Sequence, residues 1–91
     1  MRAHVDMKIT GVDRKFKTLR FDTFKQARRQ DVRGFIRFLS PDTITISAEG
    51  EQEKIEGFIE WCHTYFGREE TQLTVQFSDR IMNYNDFIIK E

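Results

Sequence analysis

The chain is predicted to fold as an α+β sandwich, two helices packed on one face of a four-stranded antiparallel sheet, with a short final strand. Three observations predict it. Apolar and polar residues alternate at a period of two over several stretches, as in half-buried strands. Two other stretches repeat their apolar residues at three- and four-residue steps, as in amphipathic helices. A proline-centred turn joins two of the alternating stretches directly, so those two form a hairpin.

The elements follow in order. Ala3, Val5, Met7, Ile9 and Gly11 alternate with His4, Asp6, Lys8 and Thr10 as a first strand. A polar, basic connection runs from Val12 to Thr18. Helical spacing holds from Leu19 to about Arg29, with Leu19, Phe24 and Ala27 near one face and Thr23 between them. Thr18 is placed to cap this helix, and Asp22 in its first turn meets the helix dipole favourably. Residues 33–39 are rich in aromatic and branched side chains and form a second strand. Ser40-Pro41-Asp42 is a turn in which proline presets φ and aspartate bonds its own backbone. The strictly alternating 43–48 is the third strand. Gly50 is expected to open the second helix, with Glu51 and Glu53 in its first turn, Ile55, Phe58, Ile59, Cys62 and Phe66 on its apolar stripe and Gly67 as its stop. Leu73, Val75 and Phe77 alternate as a fourth strand, and residues 86–90 supply a short last one. The order β-α-β-β-α-β is the ferredoxin-like arrangement, in which one sheet face is left open to solvent or to a partner. That topology hosts many functions and selects none by itself.

Composition sets the outer bounds. Ninety-one residues, 38% hydrophobic and 33% charged, form one domain, taken as residues 1–91. Nine Phe, two Tyr and one Trp give it enough to bury. A single cysteine, Cys62, excludes an internal disulfide. The N-terminus lacks the apolar core of a signal peptide and no apolar run reaches membrane-spanning length, so a cytoplasmic location without membrane contact is expected. The net charge of zero conceals a division: residues 1–46 hold eleven Lys/Arg against five Asp/Glu, and residues 47–91 hold four against ten. Such segregation either creates an electropositive surface for an anion or is neutralised across the fold.

Few side chains carry a chemical signature. His4 and His63 are far apart and lack Cys or carboxylate neighbours at ligand spacing, so no metal site is expected, and neither histidine reads as part of a nucleophilic triad. Cys62 lies on an apolar helical stripe and reads as a core residue; Trp61 and Tyr65 read as the core's edge. Arg33-Gly34-Phe35-Ile36-Arg37-Phe38 resembles part of the RNA-recognition signature, in which sheet aromatics stack on bases, although it falls on the second strand instead of the third.

The broadest pattern joins Ile9-Thr10-Gly11-Val12, Leu19-Arg20, Ala27-Arg28, Gly34-Phe35-Ile36, Ala48-Glu49-Gly50 and Tyr84-Asn85-Asp86-Phe87-Ile88-Ile89. Together these segments resemble the acylphosphatase family, and the spacing from Arg20 to Ala27 to Gly34 matches that family's without a gap. The resemblance covers nearly the whole chain and implies the same β-α-β-β-α-β layout.

It also implies a chemistry, the hydrolysis of small acyl phosphates to carboxylate and phosphate with no cofactor. In that family a loop of backbone N–H groups at a helix N-terminus holds the phosphate, an arginine pairs the phosphoryl oxygens, and an asparagine on the second strand orients the attacking water. Arg20 matches the arginine, and Arg14, Lys15, Phe16, Lys17 and Thr18 occupy the phosphate loop. Two positions depart from the pattern. Phe38 stands where the asparagine belongs, and the connection is one residue longer, with Lys15 or Phe16 in place of the loop's second glycine. The expectation is therefore an acylphosphatase-like monomer of weak or lost activity. The alternative is a non-catalytic module that binds an anion through Arg14, Lys15, Lys17 and Arg20: a phosphorylated metabolite, a nucleic-acid backbone held weakly, or an acidic protein.

Overall fold

The computed structural model describes residues 1–12 and 18–90. Among the described residues seven elements follow the predicted order: β1 (Arg2–Thr10), α1 (Leu19–Arg29), β2 (Arg33–Ser40), β3 (Thr43–Glu51), α2 (Gln52–Phe66), β4 (Gln72–Ser78) and β5 (Phe87–Ile89). The strands form one sheet in the order β4-β1-β3-β2-β5. The first four pair antiparallel, as the alternation predicts, whereas β5 runs parallel to β2 and makes the sheet mixed. The connection over 79–86 is the reason. It carries the chain from the β4 edge to the opposite edge and reverses its direction, so β5 can join β2 only in parallel.

Alternation decides the faces. Val5, Met7, Ile9, Ile44, Ile46, Ala48, Ile36 and Phe87 point to one side and meet Leu19, Ala27, Ile55, Phe58, Cys62 and Phe66 from the two helices, all buried. Thr23 is buried among them because its hydroxyl donates to the Leu19 carbonyl at 2.8 Å. Burial pushes the Cys62 thiol up from its ordinary pKa, in keeping with a core residue.

Helix ends depart from the sequence reading in two places. Thr18 occupies the N-cap position of α1, but its hydroxyl donates to the Asp22 carboxylate at 3.1 Å and leaves the backbone amides uncapped by a side chain. Gly50 does not open α2: β3 runs on through Glu51, and Glu51 is the N-cap. Pairing along the whole of β1, from Arg2 opposite Glu51 to Thr10 opposite Thr43, holds these residues extended. At the other end of α1, Asp31 adopts φ 55°, its N–H reaches the Arg28 carbonyl and that of Val32 the Ala27 carbonyl. This is a Schellman closure with aspartate where glycine is usual. Gly67 ends α2 as expected, from an extended conformation (φ −71°, ψ 91°).

Gly34 carries the tightest approach in the sheet. Its φ is 147°, and a Cβ there would lie 1.8 Å from the Ser47 carbonyl oxygen. Gly34→Ala is expected to destabilise the protein by about 2 kcal/mol or more, read by urea unfolding. A change below about 0.5 kcal/mol would show that the β2–β3 pairing relaxes freely at this point.

Candidate functional site

The site that the family resemblance points to lies where β1 hands the chain to α1. Gly11 has φ 78°, and a Cβ on it would strike the Glu70 carbonyl, so only glycine suits this exit from the strand. The Val12 N–H donates to the Asp42 carbonyl at 2.9 Å and ties the start of the connection to the β2–β3 turn. Asp13, Arg14, Lys15, Phe16 and Lys17, five residues of the expected loop, lie outside the described residues.

Arg20 and Phe38 are brought together. Both are half-buried, and the guanidinium carbon of Arg20 lies 5.3 Å from the centroid of the Phe38 ring. Phe38 is on the helix-facing side of β2 and packs against the core, so its ring forms a wall for the arginine. Thr18 is exposed at the head of α1. Asp22, in the same first turn, would oppose an anion, but positions 20 and 22 point about 200° apart around a helix. Its carboxylate is also held on the far side, accepting from the Tyr65 hydroxyl at 2.5 Å and from Thr18. Burial, and then the bond to Asp22, push the Tyr65 phenol up from its ordinary pKa, so it serves as a donor. Arg20 and Asp22 thus leave the helix start on different sides, and the carboxylate is engaged by Tyr65 and Thr18.

A cleft of about 350 Å³ opens on the other side of the same helix start, bordered by Gly11, Val12, Leu19, Tyr65, Arg68 and Thr71. Trp61 stacks on Tyr65 with ring centroids 4.5 Å apart and, as expected, forms the edge of the core. Among the described residues no cluster of three or more His, Cys, Asp or Glu could hold a metal ion. No described helix is long and apolar enough to cross a membrane.

A second polar cluster lies on the opposite face of the sheet, and the sequence reading missed it. His4 is buried, and its Nδ1 lies 2.8 Å from Glu49, whose side chain is wholly buried. His4 Nε2 lies 3.2 Å from Asp6 and 3.4 Å from Ser47 Oγ. Ser47 Oγ in turn meets the Tyr84 hydroxyl at 3.0 Å. Glu49 also accepts from the backbone amides of Met82 and Tyr84. Alternation placed His4 and Ser47 on the polar side of their strands, and Glu49 lay beyond the expected end of the third strand, which the structure extends through Glu51. The one available signal was their cross-strand pairing; nothing in the local pattern revealed that the 79–86 segment covers them.

Comparison with known proteins agrees with the fold and the resemblance. A model of the acylphosphatase family matches residues 5–89. An acylphosphatase of Anaeromyxobacter sp. is 36% identical over 63 residues, covering 67% of this chain and 62% of that protein. A crystal structure of acylphosphatase from Bacillus subtilis superposes with a TM-score of 0.81 at 16% identity, over 100% of both chains. Full-length HypF, in a phosphate- and nucleotide-bound form, superposes over 100% of this chain and 12% of its own, with a TM-score of 0.79 at 21% identity. The matched segment spans under two thirds of the Anaeromyxobacter relative, whereas the family match runs through nearly every element described above. The chain belongs to the acylphosphatase family.

Proposed function

We propose that the protein binds the phosphoryl group of small acyl phosphates at the N-terminus of α1 and hydrolyses them slowly. The observation that carries this reading is the Arg20–Phe38 pair. A guanidinium beside a positive helix end offers a rigid fork of donors to phosphoryl oxygens, and Lys15 and Lys17 of the adjoining connection add point charges. In the reaction, water oxygen adds to phosphorus, the phosphorus–acyl oxygen bond breaks, the carboxylate leaves and the water's protons end on phosphate and solvent. Arg20 would stabilise charge on the transferring group, but the ring at position 38 has no donor or acceptor with which to aim the water. Binding of the anion with no turnover at all is the second reading, favoured by that same ring.

Hydrolysis of benzoyl phosphate by wild type and Arg20→Ala tests the proposal. Slow wild-type turnover is expected to fall about 10- to 100-fold in Arg20→Ala, the loss of a charge-assisted pair. Equal rates would remove Arg20 from the site. No turnover in either protein would favour the second reading.

A further inference from the structure

The sheet face away from the helices carries a feature that acyl phosphate hydrolysis does not use. A shallow hollow of about 460 Å³ lies there, with Phe35 and Leu39 as its apolar side and Thr45 and Ser47 among its polar residues. Strand register orders its contents. Lys8 stands opposite Thr45, and Thr45 opposite Arg37, so two cations flank a hydroxyl in one row. Their Cα atoms are two strand spacings apart, about 10 Å, and both side chains are long enough to converge above Thr45. The next row, about 7 Å along the strands, is Asp6, Ser47, Phe35 and Ile88. There the half-buried Phe35 ring stands at right angles to the Tyr84 ring, centroids 6.0 Å apart, and the Lys90 ammonium lies 4.3 Å from its centroid.

The charges on this face are unevenly engaged. None of the ion pairs among the described residues involves Lys8, Arg37 or Lys90. The nearby carboxylates are occupied, Asp6 by His4 and Glu49 by His4 and two backbone amides. What remains is an aromatic ring beside a row of cations that no carboxylate pairs, Lys8 and Arg37 across the strands and Lys90 resting on the ring itself.

We propose that this face binds single-stranded nucleic acid, with one base seated on Phe35 and the adjoining phosphates on Lys8, Arg37 and Lys90. An aromatic platform can accept an unpaired base of any identity, while a duplex keeps its bases stacked internally and offers the ring nothing. Lys90 is exposed, so its ammonium can leave the ring for a phosphate as the base arrives. Thr45, Thr74 and Gln76 present hydrogen-bonding groups for sugar and base edges. Ser47, His4 and Glu49 stand in the order of a hydrolytic triad, but the backbone around Ser47 is paired on both sides. No amide donors are left there for an oxyanion, so the network anchors the face and performs no chemistry on the bound strand.

Fluorescence anisotropy with a labelled ten-nucleotide single-stranded RNA tests this on the intact chain. Binding is expected to weaken with salt at a log–log slope of about −2, the value for three phosphate contacts. Phe35→Leu, which keeps an apolar side chain, should weaken it about 5- to 100-fold. Arg37→Gln, at an exposed position, should reduce the slope by about 0.7, and Lys25→Gln on α1 should change nothing. Melting curves verify that each variant is folded. Four outcomes would overturn the proposal: no binding at low salt, equal affinity for the matching duplex, a mononucleotide bound as tightly as the oligomer, or binding insensitive to both Phe35→Leu and Arg37→Gln.

Discussion

Phe38→Asn is expected to raise benzoyl phosphate hydrolysis about 100- to 1,000-fold, the usual worth of a positioning or stabilising hydrogen-bonding group in such a site. The ring lies against Arg20 on the helix-facing side of β2. An asparagine there brings a carbonyl and an amide to the side of the guanidinium, where a water could be held for attack on a phosphoryl group bound to it. Losing a half-buried ring costs about 1–2 kcal/mol of stability, which a folded domain of this size tolerates. Phe38→Ala is the control. If it gains as much as Phe38→Asn, the ring merely obstructs the site; if neither gains, the defect lies in the 13–17 connection.

Glu49→Ala is expected to be the most damaging single change, at about 3 kcal/mol, or some 12–24 °C in melting temperature. It removes one wholly buried carboxylate that accepts from His4 and from the amides of Met82 and Tyr84. The buried His4 would lose its carboxylate partner, the amides of Met82 and Tyr84 would lose their acceptor, and the 79–86 segment would lose its fastening to the sheet. The same group makes stability depend on pH. Burial pushes the Glu49 carboxyl up, but the amides of Met82 and Tyr84 together with His4 outweigh it and hold it below its ordinary value of 4.5. A carboxylate depressed in the folded state contributes stability that is complete above the unfolded value and is lost as pH falls through the folded one. Urea unfolding should therefore show stability falling below about pH 4.5, with a shallower fall in Glu49→Gln. Asp86, held below its ordinary value by the Phe87 amide and by Arg28, is common to both proteins, so the difference isolates Glu49. Identical acid limbs would place the fastening elsewhere.

Much of this architecture is legible in the sequence because periodicity reports which side of an element is buried. The extent of α1, the apolar stripe of α2 and the β2–β3 hairpin all follow from it. The start of α2 is misread because Gly50 and the acidic residues after it look like a helix opening, while long-range pairing with β1 keeps Gly50 and Glu51 in a strand. The parallel placement of β5 is hidden for a similar reason, since three residues carry no sign of which edge they join. At the candidate site, the Arg20 and Phe38 positions come from resemblance, and the structure adds that the two side chains touch. The burial of the His4–Glu49 pair is not legible in the sequence, because it comes from a crossing segment remote from both strands whose amides close over Glu49.

Thermal unfolding in the presence of inorganic phosphate, for wild type and Arg20→Ala, tests most directly whether a phosphoryl site persists at the head of α1. A ligand bound only by the folded state at 100 times its dissociation constant adds about 2.7 kcal/mol, or roughly 11–22 °C for a domain of this size. The prediction is a wild-type melting temperature that climbs with phosphate concentration and does not climb in Arg20→Ala. A wild-type curve indifferent to phosphate, or an Arg20→Ala curve that rises equally, would contradict it.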